Sequence, residues 1–342
     1  MNRLVYMDWL RVLATIAVVT IHVAAGYAST LDPNKLSSWM AGNFYESLSR
    51  ASVPIFVMIS GALLLRGDKE ISIVEFLKKR ASKVVIPFVG WSALFYLYGA
   101  YAGYFPASIK QGIKYFLTNQ IGGHLWFMYM IVGIYLTAPL IKVFVKNAPK
   151  SYIQYFLILW LYTSVILNLM KYYYPINFNI ELYYVTNYVG YFLLGYYLSH
   201  YEITKKWRKI SYIGGCLGFI GTFFITYYYT VQANGQLDQF WYGYFAPNVL
   251  LMAIGLFVFF RYAFQKEGKL PFLLRGINQA SLGIYILHFF LLNNYLYRVF
   301  PKVNEHAHTI LAIPINVMIT IALSMFITLV LQRIPVVKKL VP

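Results

Sequence analysis

Ten stretches of predominantly apolar residues, each about 20 residues long, constrain this chain more than any other feature of its sequence. An α-helix of that length crosses the hydrocarbon core of a bilayer and satisfies its backbone hydrogen bonds internally. The predicted spans are residues 6–28, 44–65, 84–104, 124–145, 151–170, 182–201, 211–231, 241–264, 277–297 and 309–331. The sequence therefore predicts an all-α, polytopic membrane protein, with residues 1–342 forming one integral-membrane domain.

The composition of the chain agrees with this prediction. Apolar and aromatic residues make up 60% of the chain and charged residues 12%, whereas an ordinary globular domain has roughly 25% charged residues. This composition excludes a disordered chain and argues against a soluble enzyme. The single cysteine, Cys216, excludes an intrachain disulfide and a metal cluster held by several cysteines.

The chain carries a formal charge of +18, from 29 basic and 11 acidic residues. In a soluble protein such an excess suggests a nucleic-acid partner. With the amino terminus placed in the cytoplasm, 21 of the basic residues fall on the cytoplasmic side of the ten spans and six on the outer side. This asymmetry is the one that the positive-inside rule describes. We therefore expect both termini in the cytoplasm, membrane lipid as the surrounding partner, and no nucleic-acid partner.

Ionisable residues inside the spans are the main candidates for function, because a charge at membrane depth costs several kcal/mol unless it is paired or hydrated. Asp8 and Arg11 share a helix face through their i,i+3 spacing, and His22 lies about three turns further along the same face. The spacing alone leaves open a purely structural interpretation, an interfacial Asp–Arg anchor with a packed histidine. Near the outer end of the second span, Glu46 and Arg50 favour an i,i+4 ion pair over a clamp for a sugar.

The segment RVLATIAVVTIH, from Arg11 to His22, resembles the signature of the first helix in the membrane-bound acyltransferase-3 family. Four further segments resemble later parts of that family and follow in its order: VPIFVMISGALLL, FLKKRASKVVIPF, HLWFMYMIVGIY and SLGIYILHFF. Together these segments extend the resemblance over nearly the whole chain.

That resemblance implies transfer of an acyl group, usually acetyl, from a coenzyme A thioester in the cytoplasm to a hydroxyl group. The implied acceptor is a carbohydrate of the cell envelope or its lipid-linked precursor, and the implied location is the bacterial plasma (inner) membrane. Acetyl-CoA is then the acyl donor, and no metal is expected. Some relatives carry an extra extracytoplasmic esterase-like domain. Because this chain stops at the tenth span, we expect it to bind the acceptor itself or to pass the acyl group to a separate partner.

Arg80 and Lys83 match the Arg-x-x-Arg pair of the family, in the basic loop before the third span. The resemblance implies that this loop binds the phosphates of coenzyme A. Lysine at the second position supplies a positive charge but lacks the planar bidentate contact of arginine. The alternative is that the basic cluster serves only as a positive-inside topology signal.

His22 is the expected general base, because the acceptor hydroxyl must lose its proton as it attacks and imidazole titrates near neutral pH. A transient acyl-imidazole on His22 is an equally open route, and the sequence does not separate direct from two-step transfer. We expect Arg11 to orient the thioester or stabilise developing negative charge, and Asp8 to fix Arg11.

His124, Trp126, Tyr285 and His288 are the expected substrate-binding residues. His124 and Trp126 lie at the outer end of the fourth span, where an acceptor would enter, while Tyr285 and His288 would supply further hydrogen bonds. The alternatives are an interfacial anchor for Trp126 and a packing role for His288.

A transporter or flippase for a glycolipid or polysaccharide precursor is the main alternative function, since multiple spans with internal charges also suit transport. The sequence shows neither an inverted repeat nor a pair of broken helices, which argues against it. A membrane scaffold is a third class, but it leaves the line of Asp8, Arg11 and His22 unexplained.

Overall fold

The computed structural model describes residues 4–67, 72–174, 182–264, 268 and 270–342. These residues form α-helices joined by short turns, and the pairing between Thr30 and Gln236 is an isolated bridge. The helices are α1 (Val5–Ala28), α2 (Leu36–Ser49), α3 (Ser52–Leu64), α4 (Ile73–Arg80), α5 (Ile86–Tyr101), α6 (Ile109–Leu117), α7 (Trp126–Asn147), α8 (Lys150–Trp160), α9 (Leu167–Tyr173), α10 (Tyr188–His200), α11 (Lys205–Gln232), α12 (Pro247–Ala263), α13 (Phe272–Asn294), α14 (Phe300–His306) and α15 (Thr309–Leu331).

Two π-helical segments each connect two neighbouring α-helices into one longer continuous helix. Ala81–Val85 joins α4 to α5, and Leu161–Ile166 joins α8 to α9. Single 3-10 turns occupy the ends of several other helices, including Gly123–Leu125 before α7 and Phe240–Tyr242 before α12. Such irregular turns are frequent at functional sites.

The all-α, multi-pass architecture predicted from the sequence is confirmed. Within the described ranges, eight helical segments are long and apolar enough to cross a bilayer, and each overlaps a predicted span. The predicted spans 182–201 and 277–297 correspond to α10, of 13 residues, and α13, of 23 residues. The count of ten spans and the cytoplasmic placement of both termini remain predictions.

The second span begins earlier than the sequence predicts. Its helical segment runs over Pro33–Leu64, whereas the predicted span begins at residue 44, and it changes from α2 to α3 around Arg50. Polar residues in α2 lower its hydropathy, yet several of them are buried in the protein. Asn43, for example, donates a hydrogen bond to the Phe223 carbonyl and accepts one from the Tyr242 hydroxyl. Burial against protein, rather than lipid, explains why the apolar pattern misses this part of the helix.

Helix α1 lies inside the bundle, where α2, α3, α13, α15 and α12 pack around it. More than half of its residues are buried, including Leu10, Ala14 and Val19. Its two ends lie at opposite ends of the bundle, because a 24-residue helix spans about 36 Å. The candidate site residues that the sequence predicts on this helix, Asp8, Arg11 and His22, therefore lie on an element that is held by protein on most sides.

Helices α3 and α10 cross at close range, and small residues make the approach possible. A Cβ atom added at Gly61 would lie 1.7 Å from the carbonyl oxygen of Phe192, and one added at Gly195 would lie 2.0 Å from that of Met58. Close helix approach through small residues is a common packing mode in membranes.

We expect Gly61→Ala to destabilise the protein by about 1–3 kcal/mol or more, because the added methyl group forces the α3 and α10 backbones apart. Thermal unfolding in detergent, monitored through the loss of the monodisperse protein on heating, measures this change in stability. Gly133→Ala in α7 is the matched control, since a Cβ there meets nothing within 4 Å. Equal melting temperatures for the two variants would contradict the role assigned to this crossing.

Candidate active site

Asp8, Arg11 and Asn278 form a hydrogen-bonded network between α1 and α13. The Arg11 guanidinium lies 3.3 Å from the Asp8 carboxylate and donates a 3.0 Å hydrogen bond to the Asn278 side-chain oxygen. The Asn278 amide in turn donates to Asp8 at 3.1 Å. The structure thus contains the Asp8–Arg11 ion pair predicted from the i,i+3 spacing. Sequence analysis missed Asn278, although an amide inside the predicted span 277–297 was a visible signal.

A pocket of about 250 Å³ is lined by Arg11. It is called the inner pocket because the predicted topology places this end of α1 towards the cytoplasm, and the pocket at the other end of α1 is called the outer pocket. The walls of the inner pocket are mostly apolar. The polar residues in its lining are Arg11, Ser60, Arg80, Tyr135, Ser281 and Tyr285. The Nε atom of Arg80 is buried and has no hydrogen-bond partner among the described residues. Lys83, in contrast, is exposed and lies outside the lining of this pocket. The structure therefore brings only the first residue of the predicted pair to Arg11.

Three histidines from three separate elements form a cluster further along α1. The ring centroids of His22 and His288 are 5.1 Å apart, and those of His124 and His288 are 5.7 Å apart. His22 is half-buried, whereas His124 and His288 are buried. Phe289 packs against His22 and His124, with centroid distances of 5.2 and 4.7 Å.

Hydrogen bonds fix the two buried rings of this cluster. Nε2 of His124 lies 3.2 Å from the Ile286 carbonyl oxygen, and Nδ1 of His288 lies 3.0 Å from that of Ile284. A carbonyl oxygen only accepts, so these two nitrogens carry the protons. The opposite nitrogens, Nδ1 of His124 and Nε2 of His288, are buried without a partner among the described residues. Both therefore present lone pairs inside the cluster when the rings are neutral.

Tyr285 connects the histidine cluster to the inner pocket. Its side chain lines the pocket, and its hydroxyl donates a hydrogen bond to the His124 carbonyl oxygen. The Tyr285 ring centroid lies 5.9 Å from those of His124 and of His288. Arg11 and His22 thus both face protein, one at the pocket and the other at the cluster, as the shared helix face predicts.

An outer pocket of about 400 Å³ lies one helical turn beyond His22, at the carboxyl end of α1. Its lining residues are Ala25, Ser29, Glu46, Arg50, Leu237, Gln239, Tyr242, Gly243 and Tyr244. The pocket therefore combines two ionisable side chains with two tyrosines. From Arg11 to Ala25 the axis of α1 rises about 21 Å, so the inner and outer pockets lie on opposite sides of the histidine cluster.

Glu46 and Arg50 form the ion pair predicted from their i,i+4 spacing. The Arg50 guanidinium also lies 4.1 Å from the centroid of the Tyr242 ring. Glu46 is almost completely buried, with 2% of its side chain exposed. Sequence analysis predicted the pair but not the pocket, because Tyr242 and Tyr244 are about 200 positions away in the chain.

Trp126 lies at the outer end of α7 beside this pocket. Its ring stacks on that of Tyr244, with centroids 5.7 Å apart, and contacts Tyr188 at 5.8 Å. His124, two residues earlier, contacts the histidine cluster. The predicted substrate-binding residues are thus divided, with Trp126 next to the outer pocket and His124, Tyr285 and His288 at the cluster.

Among the described residues, no group of three or more His, Cys, Asp or Glu side chains has an arrangement able to hold a metal ion, and this holds for the three clustered histidines as well. The chemistry available from the described residues is that of imidazole, guanidinium, hydroxyl and carboxylate groups.

The model of a family described as an acyltransferase domain matches residues 4–329 of this chain. The protein therefore belongs to the acyltransferase-3 family, and the resemblance carried by the five motifs is confirmed.

A curated relative, the succinoglycan biosynthesis protein ExoH of Rhizobium meliloti (strain 1021), is 27% identical over 161 residues. This match covers 42% of the present chain and 44% of that protein, so the chain spans less than half the length of this relative. No solved structure matches the chain.

Proposed function

We propose that this protein transfers an acyl group, with acetyl as the first candidate, from acyl-coenzyme A to a hydroxyl of a cell-envelope carbohydrate or its lipid-linked precursor. We place it in a bacterial inner membrane. The observation that carries the proposal is the position of His22, between an inner pocket that holds two arginines and an outer polar pocket. Membership of the acyltransferase-3 family supports acyl transfer rather than transport.

The inner pocket is the proposed donor site. Coenzyme A has phosphates at one end and a thioester at the end of a long, narrow arm. Arg80 offers a buried, unpartnered donor nitrogen at this pocket, and such a group gains a charge-assisted hydrogen bond when a phosphate or carbonyl oxygen binds. The mostly apolar walls leave room for the arm while keeping water away from the thioester.

In the direct route, acyl transfer uses side chains of the inner pocket and of the histidine cluster. The acceptor hydroxyl oxygen bonds to the thioester carbonyl carbon while His22 removes the hydroxyl proton. Negative charge develops on the carbonyl oxygen beside His22, about 16 Å of helix rise away from Arg11. The Arg11 guanidinium, fixed by Asp8 and Asn278, therefore orients the donor in the inner pocket and does not contact that oxygen. The carbon–sulfur bond then breaks, and the thiolate leaves with the proton from His22 as coenzyme A.

A two-step route uses the same residues. His22 attacks the thioester first, coenzyme A leaves, and the acceptor hydroxyl then takes the acyl group from the imidazole. Incubation with acetyl-CoA labelled in the acetyl group, without acceptor, distinguishes the routes. Label on the His22 peptide, removed by a later addition of acceptor, indicates two steps; unlabelled protein that still turns over with acceptor indicates direct transfer.

The test of the proposed function is thioester consumption by the purified protein in lipid vesicles. We expect coenzyme A release that depends on envelope carbohydrate, with label appearing in the carbohydrate as an ester. Movement of a labelled carbohydrate precursor across the vesicle without coenzyme A release would instead indicate the transporter and contradict the proposal.

Arg80→Gln is expected to raise the KM for acetyl-CoA by about tenfold or more, because it removes a charge-assisted contact worth roughly 1.5–3 kcal/mol. Lys83→Gln is the matched control, and its KM should change far less because Lys83 is exposed outside the inner pocket. Steady-state kinetics with varied acetyl-CoA measure both. Equal effects of the two variants would show that the whole basic segment, rather than Arg80, attracts the donor.

A further inference from the structure

The outer pocket holds a buried polar arrangement for which packing of the helices alone gives no reason. Arg50 is paired with Glu46 and lies over Tyr242, yet its Nε atom is buried without a hydrogen-bond partner among the described residues. Leaving a buried donor unpaired is energetically unfavourable. A ligand that accepts a hydrogen bond in this pocket would remove that cost.

The size and lining of the pocket fit one small ring. Its volume of about 400 Å³ lies within the range of roughly 300–1,000 Å³ typical of small-molecule sites. Tyr242 and Tyr244 supply aromatic surface, while Glu46, Gln239 and Ser29 supply polar groups of both donor and acceptor type. Aromatic walls with a few fixed polar groups are the usual composition of such sites.

The charge of the pocket selects against an anion. Glu46 and Arg50 are the charged members of its lining, and their formal charges cancel within one ion pair. A negatively charged ligand would compete with Glu46 for Arg50 and leave a buried carboxylate unpaired, which is costly. A neutral, hydroxylated ligand accepts from Arg50 and donates to Glu46 without breaking the pair.

The position of the pocket connects it to the reacting groups. Ala25, in its lining, lies one turn after His22 on α1. Trp126 extends the aromatic surface through its stacking on Tyr244. A ring held here would have a hydroxyl group near His22.

We infer that the outer pocket, built by Glu46, Arg50, Tyr242 and Tyr244, is the subsite that binds a neutral pyranose ring of the acceptor. This inference rests on the proposed function, because it assigns the acceptor of that reaction to the outer side of His22. It differs from the sequence prediction, which placed acceptor binding at His124, Trp126, Tyr285 and His288.

The experiment measures the binding of neutral methyl hexopyranosides, in the gluco, galacto and manno forms, to the protein in lipid nanodiscs by saturation-transfer NMR. Glucuronic acid is the anionic comparison. We expect at least one neutral methyl hexopyranoside to bind, glucuronic acid to bind about tenfold more weakly or not at all, and Tyr244→Ala to weaken the neutral sugar by about tenfold or more. Tyr228→Ala, at an exposed position of α11, is the matched control and should bind as the wild type does.

Coenzyme A binding is the check against loss of folding. Glu46→Gln keeps the size of the side chain and should weaken pyranoside binding. Coenzyme A binding should stay at the wild-type value in both Glu46→Gln and Tyr244→Ala, while their melting temperatures fall because the buried ion pair or the ring contact with Trp126 is lost. Wild-type protein that binds none of the neutral sugars, glucuronic acid that binds as tightly as they do, or Tyr244→Ala that binds unchanged would overturn the inference.

The outcomes also separate this inference from the proposed function. Acceptor-dependent coenzyme A release that persists unchanged in Tyr244→Ala and Glu46→Gln would remove the outer subsite but leave the acyltransferase intact. The opposite outcome is a wild-type protein that binds a pyranoside but never consumes the thioester, together with variants that no longer bind the pyranoside. That outcome would keep the subsite and remove the acyltransferase.

Discussion

Replacing His22 with alanine is expected to lower acceptor-dependent release of coenzyme A by about 10²–10⁴-fold, the usual contribution of a positioned general base. The reason is its location. His22 is half-buried beside His288, and none of the described residues forms a hydrogen bond with its ring nitrogens, so the ring is available to a substrate. Coenzyme A release, followed with a thiol reagent, measures the effect at saturating acetyl-CoA.

Two controls make the His22 result specific. His306→Ala changes an exposed histidine at the end of α14 and should leave the rate unchanged. Binding of coenzyme A to His22→Ala should also stay at the wild-type value, because Arg11 and Arg80 line the inner pocket and His22 does not. A His22→Ala protein with wild-type turnover would show that the acceptor proton goes to another group.

Arg11→Lys is expected to lower kcat/KM for acetyl-CoA by about 10–10²-fold, mainly through a higher KM, because contacts from the planar guanidinium to the donor, worth roughly 1.5–3 kcal/mol, are lost. One nitrogen of Arg11 is shared between Asp8 and Asn278, which fixes the guanidinium plane at the inner pocket. Lysine keeps the positive charge but not the planar donor geometry, so an effect confined to KM would assign Arg11 to donor binding. Steady-state kinetics over a range of acetyl-CoA concentrations separate the two constants.

Asn278→Ala tests the same network from the other helix. Asn278 receives a hydrogen bond from Arg11 and donates one to Asp8, so it acts as a positioning residue. We expect a rise in the donor KM, smaller than that of Arg11→Lys, and a melting temperature that falls only slightly. A loss of kcat in both variants with an unchanged donor KM would show that Arg11 acts on the reacting carbonyl and does not hold the donor.

The sequence predicts the fold well because bilayer thickness and backbone hydrogen bonding leave few choices. Apolar length alone locates α1, α7, α15 and the apolar segment Phe240–Ala263, which contains α12, to within a few residues. It fails for α2, whose polar face is covered by protein, and for α10, which is shorter than a bilayer-spanning helix. Both failures occur where a helix is buried by its neighbours, so that hydropathy no longer reports its environment.

The candidate site was predictable only where its residues are close in sequence. The spacing of Asp8, Arg11 and His22 on one helix predicts their shared face, and that of Glu46 and Arg50 predicts their ion pair. The pairing of Arg80 with Lys83, which the resemblance implied, is not found at the inner pocket, and the role of Lys83 at the phosphates of coenzyme A stays a prediction. The π-helical segment that starts at Ala81 rotates the following side chains away from an α-helical register, and Lys83 faces solvent.

Contacts between distant segments were beyond the sequence. Tyr242 approaches Arg50 across almost 200 positions, and Asn278 approaches Asp8 across 270. A single sequence contains no signal for such pairings. The amide of Asn278 inside a predicted span marks that residue as unusual, but nothing in the sequence indicates that its partner is Asp8. The outer pocket consequently becomes visible only once α1, α2 and the segment before α12 are packed together.

Transfer between substrates kept on opposite faces of the membrane is the decisive experiment, because in the proposed mechanism donor and acceptor reach His22 from opposite sides. Acetyl-CoA labelled in the acetyl group is sealed inside vesicles that contain the protein, and a water-soluble neutral oligosaccharide is added outside. We expect labelled oligosaccharide ester outside, formed by wild-type protein and lost in His22→Ala. Ester that forms only when both substrates are supplied to the same face would contradict it.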